Sequence, residues 1–263
     1  MATTIDLYGS VAIVTGASRA QGIGTAVCRA LAEAGADILF THWGAFDAAE
    51  GNGADAGWPE RLCEELQRMG VRAAHMEADL AEDDSPQRIL EQVEAKLGGA
   101  ASILVNNAAF CAPTEFRSMS AVDLDRHYAV NNRGTILLSN AFAARFEDKR
   151  AGCRNGRIIF LVSKGPDPNN LAYIATKGAL IALTEPLATA LAPLGITVNA
   201  VDPGPTDSGW ITEEMRDYFL PQFPMGRLGE PEDAAKLIRF LASEEAGWIT
   251  GQHIKSEGGF LGK

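Results

Sequence analysis

Two residue types at one spacing carry the clearest chemistry in the chain: Tyr173 and Lys177, in Tyr173-Ile-Ala-Thr-Lys177. At i, i+4 on a helix they share one face. A phenol titrates near ~10, too high for efficient proton exchange at neutral pH. An ammonium one turn away favours the phenolate and is expected to lower that value. Ser163 ends an apolar run shortly before this pair. Its hydroxyl can cap a loop or donate a hydrogen bond to a substrate oxygen. The chemistry implied is proton exchange with an oxygen-bearing small molecule.

A second cluster is Thr15-Gly16-Ala17-Ser18-Arg19-Ala20-Gln21-Gly22-Ile23-Gly24, which follows an apolar run and opens a helical pattern. Gly16, Gly22 and Gly24, with Ile23, would let backbone amides approach a pyrophosphate at a helix N-terminus. An ordinary strand-to-helix turn also needs glycine, so position matters: this one follows the first strand of an α/β pattern. An NAD site places Asp or Glu at the end of the second strand. Here that end reads Thr41-His42-Trp43, with Asp37 at the strand's beginning and Asp47 beyond the turn. With no carboxylate there, a 2′-phosphate is tolerable, and Arg19 either pairs with it or stays a solvated loop cation. Ser18, Thr41 and His42 can add hydrogen bonds. NADP(H) is expected over NAD(H).

The elements that must position these groups alternate. Strand patterns are expected at Val11–Thr15, Ile38–Thr41, Ala73–Glu77, Ile103–Val105, Arg157–Val162, Ile196–Val201 and Gln252–Ser256. Helical patterns run over Ala26–Ala34, Ala121–Phe146, Tyr173–Leu191 and Pro231–Ala242, the third with a stripe of Leu180, Leu183, Leu187 and Leu191. Pro186 inside that helix is expected to cost a hydrogen bond and kink it. Residues 44–60, rich in Gly, Ala, Asn and Asp, read as a loop insertion, and residues 202–229 as a substrate-covering segment. In that segment Trp210, Phe219 and Phe223 either line an apolar pocket or pack the cover itself. Alternating β and α elements predict a single α/β domain over residues 1–263, doubly wound, with a parallel sheet of about seven strands and helices on both faces.

Composition narrows the function. The 263 residues carry a net charge of −11, which argues against a nucleic-acid surface. Cys28, Cys63, Cys111 and Cys153 form no CxxC or Cys/His spacing, so no metal site is expected and scattered thiols suit a reducing cytoplasm. The first residues lack the pattern of a secretion signal, and no run reads as a membrane span.

Taken together, these residues resemble the short-chain dehydrogenase/reductase family, a Rossmann-fold family. The likeness spans almost the whole chain: the glycine turn, Asp79-Leu80, Asn106-Asn107-Ala108-Ala109, Val130-Asn131, Ser163, Tyr173…Lys177, Pro203-Gly204, and Gly251-Gln252 with Glu257-Gly258-Gly259. The resemblance implies that Tyr173 is the catalytic acid/base, Ser163 orients the carbonyl, and Lys177 binds the nicotinamide ribose and tunes Tyr173. It implies that Asn131 anchors a water in a proton relay. It further implies that Asp79 and Leu80 meet the adenine, Asn107 and Ala108 pass along the ribose, and Pro203, Gly204 and Thr206 approach the nicotinamide. Taken singly, Asp79, Asn107 and Asn131 read as turn or strand-end caps.

Two departures stand out. The glycine turn is two residues longer than the family's usual form. The Ser163–Tyr173 spacing is short, and the intervening Lys164-Gly-Pro-Asp-Pro-Asn-Asn is stiffened by proline. The long turn is similar to that of divergent enoyl reductases, but those separate Tyr and Lys by six residues, so carbonyl and not C=C reduction is expected. The nearest overall likeness is to bacterial 3-oxoacyl-[acyl-carrier-protein] reductases. The alternatives are a dehydrogenase of a sugar, polyol, steroid or secondary-metabolite alcohol, or a cofactor-binding regulator without turnover. The resemblance also implies a homo-oligomer, dimer or tetramer.

Overall fold

The apolar runs fold as strands β1 (Val11–Val14), β2 (Asp37–His42), β3 (Ala73–Glu77), β4 (Ile103–Asn106), β5 (Gly156–Leu161), β6 (Ile196–Asp202) and β7 (His253–Lys255). In the computed structural model, which describes residues 5–49, 55, 57–148 and 155–262, they form one sheet in the order β3-β2-β1-β4-β5-β6-β7. All neighbours are parallel. The strand order reverses between β1 and β4, so a crevice opens beyond their carboxyl ends, where such sheets bind ligands. Every residue of β1, β4, β5 and β6 is buried, which explains their nearly unbroken apolar sequences.

Helices cover both faces: α1 (Ile23–Glu33), α2 (Gly44–Ala49), α3 (Trp58–Arg68), α4 (Ser85–Leu97), α5 (Ala121–Tyr128), α6 (Thr135–Asp148), α7 (Leu171–Leu191), α8 (Glu213–Phe219) and α9 (Pro231–Ala242). Val27, Leu31, Leu62, Leu66, Ile238 and Leu241 fill one side of the sheet. Ile89, Val93, Leu138, Phe142 and Leu180 fill the other.

Several expectations are corrected. Residues 44–60 are not simply a loop: α2 occupies Gly44–Ala49 and α3 starts at Trp58, while residues 50–54 and 56 lie outside the described set, as does Cys153. The start of α3 is fixed by the Trp58 indole, which donates to Thr25 Oγ1 at 3.2 Å and has the guanidinium groups of Arg29 and Arg61 within 5.6 Å of its ring centre. The long helix at Ala121–Phe146 is interrupted by a π-helical turn, Ala129–Gly134. The covering segment contains a short helix, α8. The α7 helix runs unbroken through Pro186. With the turn after it, Leu171–Leu194 forms 24 residues of mean hydropathy 1.2, long and apolar enough by composition to cross a membrane, which the sequence reading did not register. In the fold it packs on β6 and α5 and carries Tyr173 and Lys177.

The π turn has its cause in tertiary contacts. Asn131 and Asn132 are both buried and reach across to Thr176 on α7, and Gly134 sits against the carbonyl of Leu80. A Cβ on Gly134 would stand 2.1 Å from that oxygen, so only glycine permits the approach. Replacing Gly134 by Ala is expected to destabilise the protein by about 1–3 kcal/mol. Chemical denaturation checks this; a midpoint unchanged from wild type would contradict the packing described.

Candidate active site

Tyr173 and Lys177 occupy the first turns of α7, just beyond the carboxyl end of β5. Lys177 is 2% exposed; its Nζ donates to the Leu161 carbonyl at 2.8 Å and lies 5.7 Å from the centre of the Tyr173 ring. Burial lowers the Lys177 pKa to about 8. Burial, with smaller contributions from Cys111 and Asp202, pushes the Tyr173 phenol above its ordinary value. This corrects the expected depression: desolvation of the phenolate outweighs the neighbouring ammonium, which is itself tied to a backbone carbonyl. Tyr173 is therefore a protonated phenol at neutral pH.

Asn131 sits behind this pair. Its Nδ2 donates to the Phe110 carbonyl and to Thr176 Oγ1, both at 2.9 Å, and its Oδ1 accepts from Phe110 N at 2.7 Å. Thr176 in turn donates to the Tyr173 carbonyl at 2.8 Å. The amide side chain is thus occupied as a brace between the β4 loop and α7.

Ser163 lies two positions past β5, half-buried, and among the described residues its hydroxyl meets no protein partner. The short segment after it is clipped to the loop after β4. Thr114 N donates to the Asn169 carbonyl at 2.6 Å, Leu171 N to the Thr114 carbonyl at 3.2 Å, and Ala172 N to Thr114 Oγ1 at 3.0 Å. Cys111 Sγ stands 3.7 Å from Asn170 Oδ1 on the same wall. Neither Thr114 nor Cys111 was singled out for the site from sequence; no spacing rule marks a loop-to-loop clip.

The glycine turn forms the other half of the site. Gly16 has φ +76°, and a Cβ there would meet Ala108 Cα at 2.8 Å; a Cβ on Gly24 would meet the Gly16 carbonyl at 2.5 Å. Asn107 Nδ2 donates to the carbonyls of Thr15 and Gly16, both at 2.8 Å, and Thr15 Oγ1 accepts from the amides of Asn107 and Ala108 at 3.0 Å. No side chain caps the N-terminus of α1 at Gly22, which leaves its first amides as donors for an anion. This cradle fits a dinucleotide pyrophosphate.

Gly16, Ser18, Arg19, Gly22, Ile23, Gly24, His42, Asp79, Leu80, Asn107 and Ala108 all line one cleft of about 230 Å³. Phe110, Val130, Asp47 and Ser208 share its lining and were not predicted to. Asp79 also caps its own turn, accepting from Ala81 N at 2.8 Å. Thr41 is buried, and its hydroxyl accepts from Gly16 N at 3.2 Å. His42 Nε2 meets His75 Nδ1 at 3.1 Å. Arg19 donates to the Ser208 carbonyl at 3.3 Å.

The presence of Asp47 corrects the premise that no carboxylate faces this end of the cleft. The strand-end rule inspects the last residues of β2, whereas α2 brings Asp47 back into the lining of the cleft one turn later. Burial raises its pKa, against the opposing effects of Ser18, Arg19 and His42.

Pro203, Gly204 and Thr206 stand beyond β6, outside that cleft's lining. Asp202 is 2% exposed and accepts from Gly204 N at 3.0 Å, which holds the turn; burial raises its carboxyl pKa. Thr206 is buried and its hydroxyl donates within the turn, to the carbonyls of Pro203 and Gly204. Trp210, Phe219 and Phe223 form the covering segment's own aromatic cluster around Phe260. Among the described residues no three His, Cys, Asp or Glu side chains converge as metal ligands would.

A family model described as enoyl-(acyl carrier protein) reductase matches residues 16–261. The chain is 51% identical over 254 residues to an uncharacterized oxidoreductase, YjdA, of Bacillus subtilis, covering 95% of this chain and 96% of the relative. It is 35% identical over 261 residues to the 3-oxoacyl-[acyl-carrier-protein] reductase FabG of Aquifex aeolicus, covering 98% and 99%. Among solved structures, a short chain dehydrogenase from Burkholderia cenocepacia in complex with NADP superposes with a TM-score of 0.82 at 32% identity, covering 96% of this chain and 98% of that one. A 7α-hydroxysteroid dehydrogenase complexed with NADH and a 7-oxo bile acid superposes with a TM-score of 0.86 at 29% identity, covering 99% and 97%. With its strand order, its glycine cradle and its Tyr173–Lys177 pair, the chain belongs to the short-chain dehydrogenase/reductase family of NAD(P)-dependent oxidoreductases.

Proposed function

We propose that this enzyme reduces a ketone to a secondary alcohol with NADPH, on substrates of the 3-oxoacyl-thioester type. The observation that carries the reading is the buried Lys177, fixed to the end of β5 one helical turn from Tyr173. Bound nicotinamide supplies or accepts the hydride at the substrate carbon. The residues of the chain handle the proton and the oxygen. Tyr173 Oη gives its proton to the carbonyl oxygen as negative charge develops there, and its raised pKa keeps that proton in place at neutral pH. The free hydroxyl of Ser163 donates a second hydrogen bond to the same oxygen. Lys177 positions the ribose, and the Asn131 brace keeps α7 in register with the β4 loop.

The Tyr–Lys spacing supports carbonyl over C=C reduction, and the relative from Aquifex aeolicus supports the thioester class. The steroid dehydrogenase supports a second reading, a dehydrogenase of another alcohol, because its fold matches closely and its substrate carries a ring ketone. Arg19, Ser18 and His42 at one end of the cleft support NADPH, as does the NADP held by the Burkholderia cenocepacia relative. The exposed face of α7 carries Ala175, Gly178, Ala179 and Ala182, small side chains that suit close packing against a second copy. A homo-oligomer in the cytoplasm completes the reading.

Cofactor oxidation over a panel of acetoacetyl thioesters, sugars and cyclic ketones tests the substrate class; activity confined to sugars or ring ketones would favour the second reading. Tyr173→Phe is expected to lower kcat on a working substrate by about 10²–10⁴-fold while leaving NADPH affinity nearly unchanged. Retained turnover would remove Tyr173 from the proton step.

Lys177 also predicts a pH dependence of stability. Its pKa is about 8 in the fold against an ordinary 10.5, so between those values the unfolded chain holds more protons than the folded one. Stability from this group therefore rises as pH rises through that window, and below it the fold bears the cost of a buried ammonium. In urea denaturation, the stability of Lys177→Met relative to wild type is expected to fall steadily from pH 8 to 10.5. A difference independent of pH would contradict the burial argument.

A further inference from the structure

The loop after β4 runs from the glycine cradle to the Thr114 clip, so its path shapes both halves of the site. Phe110 lines the cofactor cleft, and the next residue, Cys111, stands exposed on the wall opposite Asn170. Asn131 holds both the amide and the carbonyl of Phe110. Between that brace and the Thr114 clip lies a further tie: Ala112 N donates to His127 Nε2 at 3.2 Å.

His127 projects from α5 and is 0% exposed. Its other nitrogen, Nδ1, donates to the Asp123 carbonyl at 2.7 Å, and its ring stands edge-on to that of Phe110, 4.7 Å away at 84°. These partners fix the tautomer. A carbonyl can only accept, so Nδ1 carries the proton; a backbone amide can only donate, so Nε2 is bare. Asp123 is held in turn by the capping box with Ser120 that starts α5. The imidazole therefore carries the position of a capped helix to the loop at two points, the Ala112 amide and the Phe110 ring.

We propose that His127 is a positioning residue for the reaction, its Nδ1–H tautomer holding the Phe110–Ala112 corner where Phe110 bounds the cofactor and Cys111 bounds the substrate. A histidine that only filled space would need neither nitrogen, whereas here both are engaged. Without the acceptor, the Ala112 amide loses its partner and the corner is free to shift. The inference goes beyond the ketone-reduction reading and depends only on NAD(P) binding in the cleft.

Three variants separate the nitrogens from the volume. His127→Phe keeps a ring beside Phe110 and removes both nitrogens. His127→Asn keeps a donor for Asp123 but is too short for Ala112, and His127→Gln restores an acceptor at the Nε2 position. Dissociation constants of NADPH and NADH, measured by calorimetry, need no turnover. The Phe and Asn variants are expected to bind each cofactor about tenfold more weakly than wild type, and the Gln variant within about threefold of it. Wild-type affinity in the Phe variant would overturn the proposal, as would a Gln variant that binds as weakly as Phe or does not fold. Should Phe and Asn fail to fold, ¹⁵N imidazole spectra of the wild type, which has four histidines, decide the matter. The signal missing from the Gln variant is expected to show the Nδ1–H pattern and to shift when NADPH saturates the cleft; an Nε2–H pattern, or no shift, would refute the role. The NADPH preference fails separately, by tighter NADH binding in the wild type, and a proportional loss for both cofactors would still uphold His127.

Discussion

The amide of Asn107 spans the point where the sheet reverses its strand order, and the rest of the site is arranged around it. Its two donated hydrogen bonds hold consecutive carbonyls of the β1 turn, and Thr15 returns the favour to the two amides that follow β4. The glycines that open a turn to an anion also loosen it, so the turn is braced from around it: by Asn107 after β4, by Thr41 on β2 and by Thr25 on α1. Had Asn107 been placed on the cofactor side of the cleft, the turn would lack that support.

The same division of labour recurs on the catalytic side. Asn131 is spent on the Phe110 backbone and Thr176, Asp202 on the Gly204 amide, and Thr206 on its own turn. The Asn131 amide and the Thr206 hydroxyl are buried and satisfied, so they fix geometry at little net cost, whereas the buried Asp202 carboxyl shows its desolvation in a raised pKa. The groups left to meet ligands are few: the amides at the start of α1, the hydroxyls of Ser163 and Tyr173, and the ammonium of Lys177. Lys177 is the expensive one, a buried cation whose depressed pKa records the cost of its desolvation.

Much of the fold was legible in the sequence because the central strands are covered on both faces, so their apolar runs announced themselves within a residue or two of β1, β4, β5 and β6. The α3 helix went unread because only Trp58, Leu62 and Leu66 face inward among its charged residues, and α4 because its buried Ile89, Leu90, Val93 and Leu97 are broken up by polar and charged neighbours. The π turn at Ala129–Gly134 follows from contacts to Thr176 and Leu80, remote in sequence, and no local propensity encodes it. The candidate residues stood out by type and order, but the hydrogen bonds that occupy their side chains did not. Asn107 and Asn131 proved to be braces, and Asp47 escaped a rule that looks only at the end of β2. The phenol of Tyr173 moved opposite to expectation because burial, which a sequence cannot display, outweighed the charge beside it.

The clip between Thr114 and the Asn169–Ala172 stretch has a consequence for how such an enzyme changes its substrate over time. Two loops that would ordinarily vary independently here share backbone hydrogen bonds, so lengthening one strips partners from the other. Insertions that would enlarge the pocket on this side must arrive in both loops together or leave buried polar groups unpaired. The covering segment between β6 and α9 carries a tie of its own, to the tail after β7: Phe219 and Phe223 pack on Phe260, and Leu261 N donates to the Gln222 carbonyl at 2.9 Å. Divergence in what the enzyme accepts should therefore arrive in pairs, in the Thr114 wall with its partner loop or in the cover with the tail.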